Sequence, residues 1–225
     1  MNESEPKLND DKTEAMLVGT SKRLKSTPNS CVVICETDIQ FSSCMKNLGV
    51  FMDSSLTMEK QVEQLCRTCN YHLRCIGNIR HPLTVEACKL LVRSLIFSRL
   101  DYCNSALIGI PQNLSAKLQI IQNTAARIIT RTRKYSHMTP ILKSLNRLPI
   151  EARITFKILT LIDMCQHGLC PSYLTDLLQS YQPNRPLRSQ NKPLLVVPQA
   201  KLKSYGDKAF SGCGPCLWNN LPLEI

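Results

Sequence analysis

Long apolar runs are missing from this chain. Nowhere in its 225 residues do 18 apolar residues follow one another, so no segment is expected to cross a bilayer as a helix. A secretory leader is missing too. The first twenty residues are polar and mixed in charge, which predicts a nuclear or cytoplasmic protein that is not secreted. There is no internal repeat, which excludes an array of repeated units. Acids are scarce where bases are dense: between Lys117 and Lys157 nine Lys/Arg face Glu151 alone. That segment carries +8 of the net +11. Such a block on helices suggests neutralisation of phosphates, with RNA or DNA as partner; a solubilising surface is the other reading.

What is present is ordinary for a globular protein: 43% apolar residues and enough chain for one or two domains with a sizeable core. Cysteine is plentiful, at 12 residues. Two CxxC pairs, Cys66–Cys69 and Cys213–Cys216, have the local spacing of a four-thiolate zinc site. Against zinc, 143 residues separate the pairs. Cys66 and Cys69 also share a helical face with Val62, Leu65, Leu73 and Ile76, where cysteine acts as a small hydrophobe. No metal site and no cofactor is therefore expected. A disulfide framework is not expected in a chain without an export signal.

The texture of the sequence changes twice. Residues 1–54 hold short apolar runs (Ala15–Gly19, Cys31–Cys35, Asn47–Phe51) between polar clusters such as SKRLKSTPNS, predicting short strands and turns. Residues 55–181 have helical periodicity. The expected helices are Leu56–Ile79, stopped at His81-Pro82; one N-capped by Thr84; one from Pro111 to about Arg131; and shorter ones at Thr139–Asn146, Ile150–His167 and Pro171–Tyr181. Their apolar stripes suit a helical bundle. Residues 182–225 are rich in Pro, Gly and Lys/Arg, predicting an extended segment with one strand at Leu194–Val197. The expected fold is thus mainly α, preceded by a β-containing remnant and followed by an extended basic tail.

In order along the chain stand LNDDKTE, NLGVFMD, LDYCN, LQIIQNTAARII, RLPIEARITFKI, PSYL, LRS, YGDKAF and PCLWNNLP. Taken together, from about Leu8 to Pro222, they resemble the back half of the reverse transcriptase of LINE-type (non-LTR) retrotransposons, of the jockey and chicken-repeat kind. The resemblance implies that residues 1–54 correspond to the end of a palm, 55–181 to a thumb and 182–225 to the carboxy-terminal segment. It places Asp10 and Asp11 at a turn after the metal-binding aspartates. The family's aromatic-Ala-Asp-Asp hairpin is absent, so no catalytic residue is assigned.

The resemblance further implies site residues. Lys12 matches the lysine of the KTE motif, and Gly49 in Asn47–Val50 matches the primer-grip hairpin. A thumb tracks the template–primer duplex with long cations on helix faces, a role that fits Lys117, Arg127, Arg131, Arg133 and Lys134. Tyr135 and His137 are placed to stack on a base. Arg127 and Gly49 have equally good structural readings, packing within the bundle and a plain β-turn. Phe210, Trp218 and Pro222 are expected to anchor the tail. At Leu145–Pro149 the family usually has Leu-His-Trp-Leu-Pro, so Asn146 and Arg147 replace residues that pack or stack there.

The expected function is that of a reverse transcriptase fragment lacking the catalytic aspartates and retaining at most template–primer binding, with RNA or an RNA–DNA duplex as partner. A host-retained nucleic-acid-binding or interaction protein without enzymatic activity is the alternative.

Overall fold

A computed structural model describes residues 13–27, 31–34, 37–182, 194–200 and 202–222. It is mostly helical with two small antiparallel sheets. The chain divides into two compact units, residues 1–70 and 71–225.

In the first unit, Ala15 makes a single parallel bridge with Phe41. The polar cluster expected to be a turn instead forms a short helix, α1 (Ser21–Ser26). Thr20 Oγ1 accepts a hydrogen bond from Arg23 N at 3.4 Å, so an N-cap explains its start. Strands β1 (Val32–Ile34) and β2 (Thr37–Ile39) pair with Val32 opposite Ile39. Strands β3 (Cys44–Asn47) and β4 (Val50–Asp53) form a hairpin closed by Leu48 and Gly49, whose φ values of 45° and 85° make a two-residue turn of the I′ kind. Asp53 organises the approach to the next helix. Its carboxylate accepts from Thr57 N, Thr57 Oγ1 and Met58 N at 2.9–3.1 Å, while Leu56 and Met58 take left-handed backbone. Phe51 N donates to Gln61 Oε1 at 3.0 Å, tying β4 to helix α2 (Glu59–Asn78).

The second unit begins within α2 and contains most of the core. Thr84 caps α3 (Val85–Val92), accepting from Ala87 N at 3.2 Å as its position predicted. The helix then widens into a π-helical turn, Arg93–Phe97, before α4 (Ser98–Asp101). After a 3₁₀ turn at Asn104–Leu107 come α5 (Gln112–Thr130), α6 (Met138–Ser144), α7 (Ile150–Gln166) and α8 (Ser172–Thr175). Prolines 111 and 149 precede α5 and α7, where a missing N–H costs nothing. Val92, Ile96, Leu118, Ile121, Ala125, Ile129, Ile154, Ile158 and Ile162 are buried. They are the stripes of α3, α5 and α7 together with the π turn, and α5 packs against α3, α6 and α7.

The last segment departs from the expected extended tail. Leu195 bridges Ser180, and its backbone is held from the other side by Asn219, which donates from Nδ2 to Leu195 O at 2.8 Å and accepts from Leu195 N at 2.9 Å. Beyond a short α9 (Lys203–Gly206), residues Phe210–Asn219 form helix α10, packed on α7. Two glycines and Pro215 argue against helix by propensity alone. Packing overrides them: Cys213, Gly214 and Pro215 are buried, and a Cβ on Gly214 would stand 3.2 Å from Ile162 Cδ1. Phe210 and Trp218 are half-buried, while Pro222 is exposed. Residues 183–193, part of the expected tail, lie outside the described residues.

Candidate nucleic-acid interface

The cations between 117 and 137 are arranged by the end of α5. Lys117 is exposed near its start. Arg127 lies about 15 Å further along the axis at 1.5 Å per residue, and roughly 80° round it. The two therefore face different directions. Arg127 is half-buried, and its Nε is buried without a hydrogen bond among the described residues.

Helix α5 ends in a left-handed residue, Arg131, at φ 54°. Its N–H and that of Thr132 both return to Arg127 O, the pattern of an αL helix stop. The Arg131 side chain reaches back to an earlier loop, with Nη2 donating to His81 O at 3.0 Å and Arg80 O at 3.2 Å. Arg80 answers from the other side. Its buried guanidinium donates to Ile128 O (2.7 Å), Ile129 O (2.8 Å) and Leu83 O (2.7 Å). Three carbonyls, two of them at the negative end of α5, satisfy this cation without a carboxylate.

The loop from Arg131 to His137 is left on the surface. Arg133, Lys134, Tyr135 and His137 are exposed, Tyr135 at 93%. The Lys134 ammonium stands 5.9 Å from the Tyr135 ring centroid. Among the described residues, Lys117, Arg133 and Lys134 pair with no carboxylate. In the first unit, Gly49 is exposed at the hairpin tip, and the Lys46 and Lys60 ammonium groups stand 5.5 and 5.8 Å from the Phe51 ring. Lys12, with Asp10 and Asp11, lies outside the described residues.

A second basic cluster was not singled out from the sequence. Arg147 and Arg153 both lie against the buried Phe97 ring, at 4.4 and 5.2 Å from its centroid. Arg153 grips Asp101 with Nε (3.0 Å) and Nη2. The Arg147 guanidinium packs on the face of the Phe97 ring. Its position is fixed by the end of α6. Asn146 takes φ 51°, Arg147 N donates to Leu142 O and Asn146 N to Lys143 O, a Schellman stop. Burial, then the nearby Arg153 and Arg93, pull the Arg147 pKa down against the opposing pull of Asp101. Arg93 is far in sequence from Arg147 and Arg153. No local pattern announces them, and a π turn has no sequence signature.

Two glutamines of LQIIQ hold the loop that carries Arg147. Gln122, fully buried, donates from Nε2 to Leu148 O at 2.8 Å and accepts from Gln119 Nε2 at 3.0 Å. Gln119 Oε1 accepts from Ile150 N at 2.9 Å, capping the first turn of α7.

Among the described residues no three His, Cys, Asp or Glu come together as a metal site. Cys69 and Cys213 are buried in helices, as small hydrophobes are, and burial raises the Cys213 pKa. Among the described residues no helix is long and apolar enough to cross a membrane. No family model, curated protein or solved structure matches the chain.

Proposed function

We propose that this chain is a non-catalytic nucleic-acid binder, a reverse transcriptase fragment of the LINE type that retains template–primer contact and makes no DNA of its own. The observation that carries the reading is the loop after α5. It offers Arg133, Lys134 and Tyr135 to solvent with no acid to neutralise them among the described residues. Cations beside an exposed aromatic ring supply phosphate neutralisation and base stacking, the two terms that bind RNA or an RNA–DNA duplex without reading sequence. Lys117, one helix face away, would take a different phosphate. Arg131 and Arg80 serve this reading as the residues that position the loop. The Gly49 hairpin allows close backbone approach to a strand.

Polymerisation needs carboxylates that hold two metal ions for in-line displacement, and the sequence lacks the family's signature for them. A host-retained binding protein would share the same surface and the same lack of catalysis. The test is a salt titration of binding to a labelled RNA–DNA primer–template. Replacing Arg133 and Lys134 with Gln should lower the slope of log affinity against log salt by roughly 2, near one for each lost phosphate contact. An unchanged slope makes the loop a solvated surface. DNA synthesis by the purified chain contradicts the reading outright.

A further inference from the structure

We propose that the cavity between α3, with Arg93 directly after it, and the end of α6 with its loop to α7 binds a phosphate group through Arg93 and Arg147. The cavity measures about 330 Å³ and is lined by Glu86, Lys89, Arg93, Asn146 and Arg147, among others. That volume lies at the low end of small-ligand sites.

Charge in the cavity is unbalanced. The Lys89 ammonium is matched by Glu86 at 2.9 Å. Asp101, whose charge acts on Arg147, is occupied by Arg153. Arg93 and Arg147 are left with no carboxylate partner among the described residues. Two guanidiniums held near each other, one of them half-buried, repel, and an anion between them removes that cost. A phosphate suits them because its oxygens match the planar fork in pairs.

The site is also pre-shaped. The Schellman stop of α6 fixes the Arg147 backbone, and the Phe97 ring at 4.4 Å restricts its side chain. The π turn carries Arg93 and Phe97 four residues apart, almost one turn of a π-helix, so that both come to the same side. Little conformational freedom is lost at Arg147 when the anion enters.

This inference rests on its own residues and not on duplex binding at Arg133 and Lys134. Two sources fit this chemistry, a small free phosphate compound and the 5′ end of a nucleic-acid strand, and the experiment separates them. The full chain is titrated calorimetrically with inorganic phosphate, then with one oligonucleotide carrying either a 5′-phosphate or a 5′-hydroxyl. Inorganic phosphate is expected to bind, and Arg93→Gln, an exposed position, to weaken it by about tenfold or more. Arg147→Lys keeps the charge and loses the fork, so its affinity should fall between the two. Arg133→Gln/Lys134→Gln should leave inorganic phosphate binding unchanged, even where it abolishes duplex binding. Tighter binding of the 5′-phosphorylated strand, reversed by inorganic phosphate, identifies a nucleic-acid end as the source; no gain from the 5′-phosphate identifies a small phosphate compound. No phosphate binding by the wild-type chain, or equal binding by Arg93→Gln, overturns the proposal.

Discussion

Arg80 and Arg131 each hold the other's segment: the side chain of Arg80 donates to Ile128 and Ile129 carbonyls in the last turn of α5, and the side chain of Arg131, just past that turn, donates to the carbonyls of Arg80 and His81. Two segments some fifty residues apart are locked by two cations that pair with no carboxylate among the described residues. The basic loop starts from this lock.

Arg80→Ala should therefore cost about 3 kcal/mol of the stability of the helical unit, since it strips charged hydrogen bonds from buried carbonyls. Arg131→Ala should cost about 1 kcal/mol. Arg131→Gly should be more stable than Arg131→Ala by roughly 1 kcal/mol, because glycine adopts φ 54° without strain. Urea unfolding of the three variants checks the order. Equal stability for Gly and Ala at 131 contradicts the left-handed stop.

The buried Gln122 supports the arginine loop from below. Gln122→Ala leaves Leu148 O without its donor and opens a space in the core, at a cost of about 2–3 kcal/mol. Gln119→Ala has a narrower effect, releasing the Ile150 amide. Hydrogen exchange should show Ile150 losing protection in Gln119→Ala while amides in the middle of α7 keep theirs. Uniform loss along α7 would instead mean that Gln119 stabilises the whole unit.

Gly214 brings α10 close against Ile162 of α7. Gly214→Ala should destabilise by about 1 kcal/mol through the contact with Ile162 Cδ1, despite the better helix propensity of alanine. Ile162→Val removes that methyl. The double variant should accordingly recover most of the Gly214→Ala cost, a coupling that a double-mutant cycle measures. Strict additivity would place the two residues apart.

Much of the helical unit was readable in advance, and the reasons are local. Leu118, Ile121, Ala125 and Ile129 recur at helical spacing behind Pro111, Thr84 precedes a capped turn, and His167-Gly168 ends α7 with the glycine at φ 68°. Helix α10 was not readable, because FSGCGPCLWN has poor helix propensity and is held by α7, an element about fifty residues away. The Arg131 stop was hidden for the opposite reason, since a long cation is a rare choice for a left-handed position. The Arg93–Arg147–Phe97 cluster depends on tertiary packing, which periodicity does not encode. The short helix at Ser21–Ser26 was obscured by a composition typical of turns.

In the first unit, Asp53 gives a pH dependence. Burial opposes its ionisation, but the hydrogen bonds from Thr57 N, Met58 N and Thr57 Oγ1 outweigh it and hold the pKa below the ordinary 3.8. A carboxylate whose folded pKa is depressed contributes stability above its unfolded pKa, and that contribution is lost as pH falls through the folded value. Asp53→Ala should cost about 1 kcal/mol at neutral pH, a modest figure because the group is partly exposed. The difference from wild type should shrink on acidification below the ordinary carboxylate range. A difference independent of pH would show that the charge of Asp53 is not what holds the turn.

Whether the exposed cations after α5 bind nucleic acid is tested most directly by affinity for an RNA–DNA primer–template measured across salt concentrations. Binding at low salt is expected, with a steep slope that flattens by roughly 2 in Arg133→Gln/Lys134→Gln. No binding at low salt, or a slope that the double replacement leaves unchanged, would contradict it.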